Sequence, residues 1–551
     1  MSRFLFLWRF VSNQKLKLAS ALFSLAYISA ASLVYPWLLK IMVDAMSSNS
    51  IKGMSLTTLT LILVIVVLIS AILGYYSYVL LQDIGFCLRN NLRSAYYDFL
   101  LYRPMSYFKD KQVGELTARA TEDIGKVQPI FSGLISTVFQ NILFIIGCLI
   151  LMIMLNPLAT LFVLVLILLP LPLLILFSRK IRNLSSSGQA EQDRANAIME
   201  ESLVGIREIK SFIMEKLKLK QYRESLENGT EKELRSSKLH SKINQIFYFI
   251  LSVMLLFIFY KGSILSGSSG WSIGGVIAFY FYSYTLAMAF LAMGKAYMSY
   301  QSIAGAADRI YEMLGDYNIM DTTFIPSTLL NLKGRVEFKD VSFRYEETKP
   351  VLLNFSFVIY DGEWMLITGP SGSGKSTLAS LILRFYIPHS GEILLDNFSI
   401  ISIDSNSLRT NTGYVGQDPI LFQGTIRENI LMERNIKEER IKEVLKICCL
   451  EDFVNNLPTG IDTLIGERGI TLSGGQRSRI AIARAIAADP TILILDEAGS
   501  QIEMELETEL WKNLREDREN KTTIILSHHI ENIPKVYKHI ELSSIKTLNE
   551  Y

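Results

Sequence analysis

Before residue 300 the chain alternates between long apolar runs and polar stretches. The apolar runs are Leu18–Met42, Leu56–Leu81, Leu134–Leu155, Leu158–Phe177, Ile246–Leu265 and Ile273–Met293. Each is about as long as the ~20 residues a helix needs to cross the hydrocarbon core, so each predicts a transmembrane span. The third and fourth runs are joined only by Asn156-Pro157, which predicts a tight turn. Long polar stretches separate the second run from the third and the fourth from the fifth. They are amphipathic: between Ala195 and Phe212, apolar Ile198, Leu203, Ile206 and Ile209 stand among charges at near-helical spacing. The spans are therefore expected to continue as helices beyond the membrane.

Past Gly315-Asp316 the pattern changes. Tyr317 to Lys333 is polar and contains Pro326, and from Gly334 onward short β-branched runs alternate with amphipathic helices. That alternation predicts an α/β domain. The expected layout is an all-α polytopic membrane domain over 1–316, a linker over 317–333 and an α/β domain over 334–551.

Composition sharpens this only where it is resolved along the chain. Half of the residues (50%) are hydrophobic, with the excess before residue 300, so the net charge of +2 averages two unlike halves. Nucleic acid is not implied. Arg3, Arg9, Lys15 and Lys17 precede the first span, and the long loops carry Arg89, Arg93, Arg103, Lys109, Lys111, Arg179, Lys180 and Arg182. The short loops hold little beyond Lys52 and Lys261. Basic residues stay on the cytoplasmic side, so both termini and both long loops are expected there, in a bacterial inner or plasma membrane. With so little chain outside, no external binding protein is expected. The first apolar run is too long for a cleavable leader and has no small-residue cleavage site after it. Cys87, Cys148, Cys448 and Cys449 have no metal-ligand spacing and require no disulfide.

The chemistry is concentrated after residue 334. Gly369-Pro370-Ser371-Gly372-Ser373-Gly374-Lys375-Ser376-Thr377 fits the phosphate-loop pattern G-x-x-x-x-G-K-[ST]. It lies between an apolar strand, Trp364–Thr368, and a helical stretch, Leu378–Phe385. Its glycines let backbone N–H groups curl around phosphates, Lys375 can reach the β- and γ-phosphates, and Ser376 can hold Mg²⁺. Val336 to Tyr345 alternates like a half-buried strand, and Tyr345 suits a ring stacked on a purine. Gln417, in a loop, can touch Mg²⁺ or the γ-phosphate. Ser473-Gly474-Gly475-Gln476 opens a basic helix whose free N–H groups suit a further phosphate. An apolar strand ends in Asp496-Glu497 and another in Ser527-His528. Asp496 is expected to bind Mg²⁺ through water, Glu497 to orient and deprotonate the attacking water, and His528 to donate to the γ-phosphate.

At these residues the chain resembles the ATP-binding cassette (ABC) transporter superfamily, in which Ser473-Gly474-Gly475-Gln476 corresponds to the signature sequence. The likeness extends to the membrane half. Phe108 to Leu116 is similar to the family's first cytoplasmic loop, Glu201 to Phe212 to its second, and Ala306 to Glu312 to the exit from its sixth span. The exporter-type branch is indicated: six spans fused ahead of one nucleotide-binding domain, a half-transporter using ATP and Mg²⁺. The resemblance implies that a second copy completes the site, with ATP held between the phosphate loop of one chain and Ser473 to Gln476 of the other. A homodimer is expected in preference to a pair of paralogues. The turn Arg103 to Phe108 is then a coupling segment, and Glu467 matches an element that touches the cytoplasmic loops.

The sequence departs from the family in places. Where Ala-Thr-Ser-Ala-Leu-Asp usually follows the catalytic glutamate, this chain has Ala498-Gly499-Ser500-Gln501-Ile502-Glu503. His529 replaces an arginine, and the chain stops at Tyr551 without the usual extension. The retained Lys375, Gln417, Ser473, Glu497 and His528 still imply hydrolysis. The cargo is less legible. Lys295, near the apolar part of the sixth span, and Tyr280, Tyr282, Tyr284, Tyr297 and Tyr300 suggest a watery cavity for an amphipathic or partly anionic molecule, with Lys295 and Tyr284 as candidate contacts. The expected function is export of a hydrophobic or amphipathic drug, lipid or small peptide. Alternatives are a lipid flippase for envelope assembly, an exporter-fold importer of a metal chelate such as a siderophore, and an ATP-gated channel or regulator.

Overall fold

The computed structural model describes residues 3–47, 56–109, 111, 113–169, 171–265, 272–314, 332–346, 349–466, 472–528 and 538–542. Glu467, His529, Lys52 and nearly all of the expected linker lie outside them. By contacts the chain forms two units, Met1–Leu101 with Val113–Asn318, and Tyr102–Gln112 with Ile319–Tyr551.

In the first unit, five helical stretches among the described residues are long and apolar enough to cross a membrane: Ser12–Met46, Leu56–Leu101, Val113–Leu155, Glu215–Lys261 and Ile273–Leu314. Of the fourth apolar run, expected over 158–177, the described residues lie in the helix Pro157–Leu168 and the start of Leu171–Val204. The expected turn is present: the Asn156 side chain accepts from Ala159 N–H and caps the next helix. Leu56–Leu101 has 46 residues, about 70 Å at 1.5 Å per residue, so it runs well past its apolar part, as expected. Leu68 and Ile72 on it are 59% and 60% exposed. Such side chains clustered on one helix belong against lipid, not water.

Lipid tails do not drive helices together, so close backbone approach matters. A side chain at Gly85 would stand 2.7 Å from the Gln128 carbonyl oxygen, and one at Gly274 would stand 2.3 Å from that of Lys40. Tyr282 is buried, and its hydroxyl donates to the Leu33 carbonyl at 2.6 Å. A polar tie joins two further elements: Arg309 donates to both oxygens of Asp123, at 2.6 and 3.0 Å.

The second unit is built on five parallel strands in the order β11-β3-β10-β9-β6. They are β3 (Trp364–Thr368), β6 (Thr412–Val415), β9 (Ile492–Asp496), β10 (Thr522–Leu526) and β11 (Lys538–Glu541). β3, β9 and β10 are buried at every residue, as in parallel sheets covered on both faces. An antiparallel sheet, β2-β1-β4-β5, is formed by β1 (Val336–Glu346), β2 (Lys349–Ile359), β4 (Ser390–Leu395) and β5 (Phe398–Ser399), and a short antiparallel pair by β7 (Gly424–Thr425) and β8 (Leu464–Ile465). At the start of β9 and β10 lies Arg518, fully buried. Its guanidinium donates to the carbonyls of Pro490 at 2.9 Å and Thr522 at 3.1 Å and to the Thr523 hydroxyl at 3.1 Å. Burial pulls its pKa down to about 10. All four cysteines are free.

Candidate active site

Parallel strands bring their C-terminal ends to one edge of the sheet, where ligands bind in open α/β folds. Thr368 leads into the phosphate loop, Asp496 into Glu497, Leu526 into His528 and Val415 into Gln417. Because β3, β10, β9 and β6 are consecutive neighbours, residues spread over more than a hundred positions arrive side by side. Register adds to this: Leu526 pairs with both Ile367 and Asp496.

The phosphate loop leaves β3 through three glycines with positive φ, at +154° (Gly369), +80° (Gly372) and +98° (Gly374). Gly369 also has no room, since a Cβ there would stand 2.4 Å from the Leu542 carbonyl oxygen, whereas Gly372 faces open space. Gly374 starts the helix Lys375–Ile382, whose N-terminus favours an anion. Lys375 Nζ donates to the carbonyls of Gly369 at 2.7 Å and Pro370 at 3.2 Å. Burial lowers its pKa, and Glu497 and Asp496 oppose that shift. Ser373 Oγ is buried without a hydrogen-bond partner. An open crown, an unmatched hydroxyl and a desolvated ammonium fit a polyphosphate.

Glu497 holds the centre. Its backbone is left-handed, φ +53°, a conformation that is rare for a residue with a side chain and recurrent at functional sites. Its N–H donates to the Leu526 carbonyl at 2.8 Å. One carboxylate oxygen meets His528 Nε2 at 2.8 Å, and the other accepts from Gln417 Nε2 at 2.8 Å. His528 also lies 3.2 Å from Lys375 Nζ. Asp496 is buried, which raises its pKa, while a hydrogen bond from Ser376 lowers it. Of the three groups expected at Mg²⁺, Ser376 and Asp496 are thus in contact, while the Gln417 amide is on the adjoining glutamate. A hydroxyl beside a buried carboxylate is a donor set that suits Mg²⁺, which takes few carboxylates and keeps its waters.

Tyr345 is partly exposed; its hydroxyl lies 3.3 Å from Thr377 Oγ1, and its ring packs edge-on to Phe343 and Tyr386. Sequence reasoning missed its other neighbour. Lys109, from the turn after Pro104, donates to the Tyr345 carbonyl at 2.8 Å and lies 5.7 Å from its ring centre. Ser473 and Gln476 are engaged in a capping box at the head of the helix Gly474–Ala487, with Ser473 exposed and the two glycines and Gln476 half-buried. Glu503 precedes the helix Met504–Asp517, where its carbonyl accepts from Glu507 N–H at 2.8 Å and its side chain makes no capping hydrogen bond.

In the membrane unit, Lys295 lines a cavity of about 400 Å³ with Pro129, Gly133, Thr137, Ala296 and Ser299. Lys295 has no hydrogen-bond or ion-pair partner among the described residues. π-helical turns lie on either side of Pro129. Tyr284 is exposed but is not part of this lining, and Tyr282 is taken out of any cavity by its burial and its bond to Leu33.

Comparison with known proteins agrees with this geometry. Residues 18–290 match the family model for the ABC transporter transmembrane region, and residues 352–500 match that for the ABC transporter. An ATP-dependent lipid A-core flippase of Saccharophagus degradans is 31% identical over 85% of this chain and 80% of its own length. The uncharacterized ABC transporter ATP-binding protein YwjA of Bacillus subtilis is 30% identical over 93% of this chain and 90% of its own length. A bacterial Atm1-family ABC exporter solved with ATP bound shares the fold, with a TM-score of 0.85 at 22% identity over 96% of this chain and 95% of that one. The chain belongs to the ABC transporters, as an ATP-hydrolysing half-transporter with one transmembrane region ahead of one nucleotide-binding domain.

Proposed function

We propose that the chain works as a homodimeric exporter, moving a hydrophobic or amphipathic compound out of the cytoplasm or the inner leaflet by alternating access. The observation that carries this reading is the Glu497 carboxylate, held between Gln417 and His528 beside Lys375. A carboxylate so placed can take a proton from water attacking the γ-phosphate, with His528 fixing the geometry and Lys375 drawing charge from the phosphate oxygens. Mg²⁺, when bound, supplies further neutralisation of those oxygens, and Ser376, Asp496 and Gln417 are the residues to hold it. Each oxygen of Glu497 has one partner at rest and keeps a further lone pair that can take the proton of the attacking water.

Tyr345 provides the face for the adenine, and Ser473, Gly474, Gly475 and Gln476 of a second copy close over the triphosphate. The protein is placed in a bacterial cell membrane with both termini and both long loops cytoplasmic. The lone Lys295 in its cavity favours a substrate with an acidic group on an apolar body. A lipid flippase is the second reading, favoured by relatives named as lipid A-core flippases in Saccharophagus degradans and Pectobacterium atrosepticum.

The test is ATP turnover of the purified chain in lipid nanodiscs. Glu497→Gln is expected to cut turnover by roughly a hundredfold or more, the scale of a lost general base, while nucleotide binding persists. Unchanged turnover removes Glu497 from the mechanism. A chain that is inactive alone but active with a related chain overturns the homodimer.

A further inference from the structure

Gln501 stands where the family pattern has alanine, and it spans a gap that alanine cannot. The segment carrying it is a tight turn: Ser500 Oγ donates to the Glu497 carbonyl at 2.9 Å, and Ile502 N–H donates to that of Gly499 at 3.0 Å. From this turn the Gln501 amide reaches Asp418, with Nε2 donating to Oδ1 at 3.4 Å. Asp418 follows Gln417, whose own amide is on the Glu497 carboxylate. The other side of Gln501 lies on the signature glycines. A Cβ at Gly474 would stand 2.3 Å from Gln501 Oε1, and one at Gly475 would stand 2.8 Å from the Gln501 carbonyl oxygen. Residue 501 therefore contacts both the loop after β6 and the first turn of the helix Gly474–Ala487.

We infer that Gln501 is a positioning residue, tying the glutamine loop of the hydrolytic centre to the helix terminus that the same chain presents to a second copy. Rearrangement at Gln417 and Glu497 is passed through Asp418 to the carboxamide of Gln501, and from there to Gly474 and Gly475. The link lies within one chain, so it joins that chain's own nucleotide site to the one it completes in its partner. This also gives a role to a departure from the family that leaves Glu503 outside the contacts. The inference rests on the reading that a second copy completes the site.

The experiment measures ATP turnover against ATP concentration in nanodiscs for the wild type, Q501A, Q501E, D418N, D418A and the Q501A/D418A pair. Q501E keeps the shape that packs on Gly474 but loses the donor and sets a like charge against Asp418, so it holds if Q501A fails to fold. Both Gln501 variants are expected to lower kcat by roughly three- to tenfold, the scale of one hydrogen bond. KM for ATP is expected to stay within about twofold and the Hill coefficient to fall to that of independent sites. D418N retains an acceptor oxygen and should behave as wild type, whereas D418A should match Q501A. The double variant should be no worse than either single one. Wild-type kcat and cooperativity in Q501A and Q501E, or additive losses in the double variant, overturn the inference. A wild type without cooperativity overturns the composite-site reading instead, and the kcat cycle between Gln501 and Asp418 then decides on the contact alone.

Discussion

Lys375 and Asp496 are both held in their less comfortable ionisation states by the chain that carries them. Burial depresses the pKa of Lys375 and raises that of Asp496, so at neutral pH each charge weighs against the folded state until a ligand compensates it. For Asp496 the sign is explicit. Its favourable contribution is complete below the ordinary carboxylate range and is lost as pH rises through the raised value. Lys375 is the converse: its contribution is present above the ordinary lysine range and lost as pH falls through the depressed value. Asp496→Asn is thus expected to raise the unfolding midpoint of the nucleotide-free protein at neutral pH by roughly 1–3 °C, with the gain vanishing in acid. The same variant should lose the further rise that Mg²⁺ with ATP gives the wild type. A lower midpoint without ligand contradicts this. At this scale the sequence was most readable where chemistry is contiguous: Gly369 to Thr377 and Asp496-Glu497 are short runs whose spacing is the mechanism. The contact between Glu497 and His528 was not readable as a contact, because it depends on β10 lying beside β9.

Among the elements, β3, β9 and β10 identified themselves as strands by short, largely apolar and β-branched runs, but nothing in that character states their order. Long-range polar residues carry part of the answer. Arg518 spans the starts of β9 and β10, and Trp364 of β3 donates to its carbonyl at 3.4 Å. Arg518→Met fills the volume but leaves buried acceptors unmatched, at a cost of about 1–3 kcal/mol for each one left dry. The expected result is faster amide exchange in β9 and β10 and a lower unfolding midpoint for the whole protein. Protection equal to wild type in both strands would show that packing alone sets their order. Along the fourth membrane run the hydropathy is continuous, and its described residues are helical on both sides of position 170.

At the level of the whole molecule, the substrate reading turns on Lys295 and its surroundings. Lys295 lines a cavity, whereas Tyr282 packs between helices, because a tyrosine pattern in sequence does not say which faces turn inward. Lys295→Ala is expected to remove stimulation of ATP turnover by acidic amphiphiles and their transport into proteoliposomes, with basal turnover kept within about twofold. Intact transport would exclude the cavity as the substrate's place. The turn Tyr102–Gln112 has a practical consequence. It groups with the second unit, and its Lys109 is bonded to the Tyr345 carbonyl. A soluble fragment started after the linker omits those residues and exposes the backbone behind the ring expected to carry the adenine. Nucleotide affinities measured on such a fragment would describe a truncated pocket. An inhibitor campaign run against it would be aimed at a surface that the full-length protein does not offer.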